Sequence, residues 1–237
     1  LIINYSRMPN FVNYPTPFAQ SIMTRDQAAV LWKRWRLLED RELYNLESDP
    51  LQKTNVIDEH PDVVRKMRGE LYRWWEEVGP NANVPQRVVI GSDHENPSRL
   101  TACEWLDVFV DQQGQIRRGQ QKSGYWLLDV AQDGEYEFEL RRWPRDADIP
   151  LAEAMPDGSG TALPITSASI YLNNYHHLSI GQKRPYGFEG LTKQVKPGDK
   201  SVVFTAKLKK GPIALHTWFR GEDLIFSAYY VYVHRKD

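Results

Sequence analysis

Aromatic side chains set beside arginines and amides are the residues of this sequence with the clearest chemical use. Trp143 follows Arg141 and Arg142, Trp218 stands two positions before Arg220, and Asn173, Asn174, Tyr175 and His176 form one run. A pyranose offers C–H patches to an aromatic face and hydroxyls to amides, carboxylates and guanidinium groups, so these three groups are candidates for holding a sugar. The competing assignment is structural, because a β-rich chain needs buried aromatics and a Trp at a strand end commonly fills the edge of a core. Arg141, Trp143, Asn173, Asn174, His176, Trp218 and Arg220 are the candidate set.

Other chemistries are poorly served. No Gly-x-Ser-x-Gly run or nucleophile–base pair is present, and no catalytic residue is assigned. The adjacent His176 and His177 would point to opposite faces of a strand, with no further ligand at metal spacing. Asp107, Asp111, Asp129 and Asp133 lack the dense alternation of an oxygen-ligand loop, so no metal site is assigned either. Gly114 to Gly119 has no strand-then-helix context for a phosphate cradle, and Arg117 and Arg118 read as a solvated pair. The single cysteine, Cys103, cannot form an intrachain disulfide. Lys+Arg 30 against Asp+Glu 31 leaves a formal net charge of -1, which gives no global field to draw in nucleic acid. No apolar run is long enough to span a membrane.

The elements that must position these residues fall into two textures. In the first third, Trp32 to Leu38 alternates in character and predicts a strand with two unlike faces. Glu39-Asp40-Arg41 is a polar break, and Glu42 to Leu46 predicts the return strand, with Leu43 and Tyr44 as its bulk. Leu1 to Tyr5 is a short strand able to pair with the segment from Ala28 to Leu38. Asp49-Pro50 starts a turn, since proline fixes φ and donates no hydrogen bond. Pro61 suits the first helical position after His60, and Asp62 suits the positive end of the dipole. Val64, Met67, Leu71, Trp74 or Trp75, and Val78 then recur as one apolar stripe.

This order (strand, polar turn, Glu-Leu-Tyr-Asn-Leu, Asp49-Pro50, a loop with Asn55, and Glu59-His60-Pro61 opening a helix) resembles the closing segment of the sulfatase family, bacterial arylsulfatases above all. The resemblance implies a small C-terminal subdomain packed against a large α/β catalytic domain. Sulfatases carry a Cys-x-Pro-Ser-Arg type motif oxidised to formylglycine, and a calcium site, in that N-terminal domain. Cys103 is followed by Glu104-Trp105-Leu106 and departs from the motif at every defining position. The resemblance therefore implies the tail of a sulfatase without its catalytic domain. The chain itself would hold no cofactor, while the parent would need calcium and formylglycine. The missing domain and a sulfated carbohydrate are the implied partners. Periplasmic or extracellular residence is implied by the family.

Gly79 to Pro85, with Gly, two Pro and two Asn, reads as a boundary, and β texture follows it. Tyr125 to Ala131 is a compact apolar run, Asp133-Gly134 is a hairpin signal, and Tyr136, Phe138 and Leu140 alternate with Glu135, Glu137, Glu139 and Arg141 as the partner strand. Ala168 to Leu172, Val202 to Leu208, Ile213 to Phe219 and Tyr230 to Val233 are further strands. Lys196-Pro197-Gly198-Asp199 has the residues of a type II turn, and Lys210-Gly211 is another turn. This region is similar to galactose-binding-like and carbohydrate-binding jelly-roll modules. The expected fold class is α+β: a small antiparallel sheet plus one amphipathic helix over 1–78, a linker over 79–87, and an antiparallel β-sandwich of jelly-roll type over 88–237.

Overall fold

The computed structural model describes residues 1–4, 23–84, 86–105, 110–173 and 191–236. Among these, the residues before 85 form one compact unit and those after 85 form another. The described residues are mostly sheet with few helices, and no sheet closes into a barrel. The protein is a β-rich α+β chain.

The first unit contains β1 (Ile2–Ile3), β2 (Ala29–Trp32), β3 (Trp35–Leu38), β4 (Glu42–Asn45) and α1 (Pro61–Ala82). The four strands form an antiparallel meander in chain order. The single strand expected from Trp32 to Leu38 is two strands, because Lys33 adopts φ 55 and reverses the chain. Trp32 then pairs with Trp35 across the turn. A left-handed residue without a glycine leaves no mark in the alternation, so the turn stayed hidden in the pattern. At the next turn Glu39 and Asp40 are also left-handed. Asp40 anchors that hairpin tip to the helix: its Oδ1 accepts from Arg68 Nε at 2.6 Å, and its Oδ2 accepts from the Tyr72 hydroxyl at 3.3 Å.

Asp49 and Asn55 of the first unit's motif serve the backbone. Asp49 Oδ2 accepts from the Lys53 and Thr54 amides, closing the turn after β4. Asn55 Oδ1 accepts from the Leu43 and Ile57 amides and so seats the loop on β4. His60 precedes the helix with its ring 4.6 Å from that of Trp35, and Pro61 opens the helix as expected. Val64, Met67 and Leu71 are buried against Val30, Trp35, Leu37 and Leu43, with Trp74 packed at the margin. The apolar stripe is thus covered by the unit's own sheet. The helix also runs through Gly79 and Pro80 to Ala82, into the segment expected to be linker. Proline has a helical φ, and in the last turn it forfeits only one backbone bond. Asn83 ends the helix and exchanges two hydrogen bonds with the Met23 backbone, at 2.8 and 2.9 Å.

The second unit contains β5 (Val88–Ile90), β6 (Ser98–Thr101), α2 (Gln113–Arg117), β7 (Tyr125–Val130), β8 (Gly134–Arg141), β9 (Ser167–Asn173), β10 (Leu191–Gln194), β11 (Val202–Leu208), β12 (Gly211–Arg220), β13 (Ile225–Phe226) and β14 (Tyr230–Arg235). One sheet has the order β10-β9-β12-β7-β5, with β13 on β12; the other has the order β11-β8-β14-β6. Trp126, Leu128, Ile170, Leu215 and Phe219 from the first share one core with Phe138, Leu140, Phe204 and Val231 from the second.

The hairpin expected at Asp133-Gly134 does not form, and the turn at Lys210-Gly211 shows the same reason. The turn at Asp133-Gly134 joins no hairpin: β7 pairs with β12 and β5, whereas β8 pairs with β11 and β14. Lys210-Gly211 likewise passes the chain from β11 in one sheet to β12 in the other. Turn residues specify a reversal but not which sheet receives the next strand. The two crossings are tied together, since Asp133 accepts from Lys209 Nζ at 2.7 Å and from the Lys210 amide at 2.8 Å. The sheets are also not wholly antiparallel: β5 runs parallel to β7. Its connection passes through β6 of the other sheet, so no tight turn dictates its direction. The turn at Lys196 to Asp199 forms as expected, with Gly198 at φ 86 and the Asp199 amide donating to the Lys196 carbonyl.

Candidate functional site

The two sheets present different outer faces, and the candidate residues divide between them. On β12, Ile213, Leu215 and Phe219 enter the core, so Ala214, His216, Trp218 and Arg220 line the opposite face. Register sets His216 between Tyr125 of β7 and Tyr171 of β9. The Tyr125 and His216 rings stack at 4.9 Å, and His216 stacks on Trp218 at 5.9 Å. Tyr125, Leu127 and Ala214 form a small apolar cluster there, distinct from the main core.

Trp218 is half-buried at the end of this aromatic row, and the Arg220 guanidinium lies 5.4 Å from its ring. Arg220 Nη1 donates to Ser169 Oγ at 2.6 Å, and Ser169 in turn contacts Thr192 Oγ1 at 3.0 Å. Among the described residues Arg220 has no carboxylate partner, and burial alone pushes its pKa below the ordinary value. A partly desolvated guanidinium bonded only to a neutral hydroxyl lacks the counter-charge such a group favours. Asn173 reaches the same face, in register with Ala214. Asn174 and His176 lie outside the described residues.

Arg141 and Trp143 belong elsewhere. Arg141 projects from β8 on the outer face of the four-stranded sheet, and its Nε donates to Glu139 at 2.5 Å. Arg145 binds the same carboxylate and lays its guanidinium 4.1 Å over Tyr232. Burial works to raise the Glu139 pKa, but the hydrogen bonds from Arg141 and Arg145 outweigh it and hold the carboxyl below its ordinary range. Trp143 is 2% exposed and part of the core, its Nε1 donating to the Glu153 carbonyl at 3.2 Å. The structure therefore brings Trp218, Arg220 and Asn173 to one face and separates them from Arg141 and Trp143.

Sequence reasoning missed Tyr125, Tyr171 and His216. The signal was present, because each occupies the alternate position of a strand whose other positions are apolar. Arg142, grouped with Arg141 and Trp143 as a sugar candidate, is instead fully buried and donates to the carbonyls of Arg117, Leu151, Glu153 and Thr161. No three His, Cys, Asp or Glu side chains converge among the described residues, and no described helix is long and apolar enough to cross a membrane.

What the fold and this face define is a β-rich chain carrying an aromatic row that ends in an arginine without a carboxylate partner among the described residues. No family model matches the chain, and no curated protein matches it. Among solved structures it is similar to a ruminal GH26 endo-β-1,4-mannanase, with 13% identity and a TM-score of 0.30. That match covers 60% of this chain and 26% of the mannanase.

Proposed function

We propose that this chain is a non-catalytic portion of a sulfatase, in which the second unit, a jelly-roll-type sandwich, binds a sulfated glycan. The observation that carries this reading is Arg220, a partly buried guanidinium without a carboxylate partner among the described residues, set beside the half-buried Trp218. A sulfated sugar supplies both missing parts: an anion for the guanidinium and a C–H face for the indole. The resemblance of the first unit to the sulfatase tail supplies the substrate class, and the catalytic formylglycine and calcium belong to the parent's other domain. Titration with a sulfated oligosaccharide and its desulfated counterpart, followed by calorimetry, tests the reading. Preference for the sulfated form is expected, with Arg220→Ala costing about 1.5–3 kcal/mol, roughly 10- to 100-fold in Kd. Equal affinity of the wild type for the two sugars would sink it. The chain alone is expected to show no turnover of an aryl sulfate.

A second reading has its own observation. Val64, Met67 and Leu71 are covered by the first unit's own sheet, so the stripe needs no absent body to hide it. This favours a free-standing carbohydrate-binding or adhesion module. A Cys-x-Pro-Ser-Arg motif in the coding sequence upstream of Leu1 decides for the sulfatase, and its absence from that reading frame decides for the module.

A further inference from the structure

A cavity of about 190 Å³ lies between α2 and the segment after β8. Its walls are Ile116 from α2, Trp143 and Ala147 after β8, Met155 from the following loop, and Tyr230 from β14. Arg117 and Gln113 provide the polar groups of the lining. Trp143 and Ile116 are buried, whereas Met155, Ala147 and Tyr230 are partly exposed, so the apolar floor opens to solvent.

The walls are held rigidly by hydrogen bonds that converge from one buried side chain. Arg142 donates to Thr161 at 2.5 Å and Glu153 at 3.2 Å on the loop that carries Met155, and at the limiting 3.5 Å to Leu151 and to Arg117 on α2. Trp143 Nε1 donates to the same Glu153 carbonyl, and the Thr161 amide donates to Arg117. A pocket whose supporting shell is locked in this way exists before any ligand arrives.

Size and charge narrow the ligand. A cavity of roughly 150 Å³ lined by aliphatic and aromatic groups accepts one benzene ring, so about 190 Å³ suits a single ring with one small substituent. Arg117 specifies that substituent. Its side chain has one hydrogen-bond partner among the described residues, Ser159 Oγ at the limiting distance of 3.5 Å, and Asp157 is close enough to interact with it through charge alone. The nearby Asp157 carboxylate instead accepts from the Ser159 amide at 2.8 Å. A guanidinium so weakly engaged favours an anion. We infer that this cavity is a binding site for a small monocyclic ligand bearing one anionic group, a carboxylate or a sulfate, with its ring between Trp143 and Met155 and its charge on Arg117.

The test uses the full chain with three probes, benzoate, phenyl sulfate and toluene, followed by NMR at the Trp143 indole N–H and the Met155 methyl. Benzoate or phenyl sulfate should shift both signals with millimolar affinity, and the stronger of the two identifies the anion. Toluene should bind about tenfold more weakly. Met155→Trp, which fills the cavity, should abolish binding, and Arg117→Met should reduce the anionic probe to the level of toluene. Trp218→Ala should change nothing, which separates this site from the aromatic row and its sugar. Either of two outcomes overturns the inference: neither signal moves at tens of millimolar probe, or Arg117→Met binds the anionic probes as well as the wild type. Arg117 is half-exposed, so its variant keeps the test open if Met155→Trp fails to fold.

Discussion

Arg142 illustrates how far one side chain reaches in this fold. It sits fully buried with no carboxylate partner among the described residues, its guanidinium 4.4 Å from the Trp143 ring, and burial lowers its pKa to about 10. It remains charged at neutral pH because four carbonyl dipoles replace the water it has lost. Removing it takes a donor from the Leu151 and Thr161 carbonyls, while the Arg117 and Glu153 carbonyls keep the Thr161 amide and Trp143 Nε1. Arg142→Met should therefore cost about 2–4 kcal/mol, read as a lowered urea midpoint. Arg142→Lys should restore little, since one compact ammonium cannot span the four acceptors. Glu139 gives a residue-level pH dependence. Its carboxyl is held below the ordinary range, so its contribution to stability is complete above the unfolded carboxylate pKa and is lost as pH falls through the folded value. Urea unfolding at neutral and acid pH should show a smaller difference for Glu139→Gln than for the wild type.

At the scale of elements, α1 makes two opposite predictions from two glycines. A Cβ at Gly69 meets nothing within 4 Å, so Gly69→Ala should stabilise by about 0.5–1 kcal/mol through helix propensity. A Cβ at Gly79 falls 2.8 Å from Trp75 Nε1, and Gly79→Ala should instead force that indole to move, visible as a changed Trp fluorescence. The buried stripe is the stronger determinant of the helix. Leu71 is fully buried in the first unit's core, and Leu71→Ala should cost about 2–5 kcal/mol. Among the strands, β8 shows how an element can be legible while its neighbours are not. Its alternation of Tyr136, Phe138 and Leu140 with three glutamates marks a strand with one buried face, yet its partners are β11 and β14 and not the strand before it.

At the scale of the whole molecule, the two main hydrophobic cores among the described residues share no residues. One holds Val30, Leu37 and Leu71, and the other Trp126, Phe138 and Phe219. Two calorimetric transitions are therefore expected, and Leu71→Ala should lower one while leaving the other in place; a single transition moved as a whole would contradict it. The aromatic row and the cavity beside Trp143 both belong to the second unit, so both should survive changes confined to α1.

Local chemistry was readable along the chain wherever its cause acts within a few residues. Pro61 at a helix start, the stripe of α1, the alternation of β8 and the turn at Gly198 all follow from periodicity and φ preferences, which neighbours in sequence impose. The sequence by itself thus determined the two textures and most of the elements. Only the tertiary structure decided that Trp143 lies in the core while Trp218 ends an aromatic row on a sheet face. It alone decided that Asp133-Gly134 and Lys210-Gly211 cross between layers, and that Arg142 joins a helix to a loop. The reason is that sheet membership and burial depend on contacts between residues remote in sequence, to which neither a period of two nor a pair of turn residues responds.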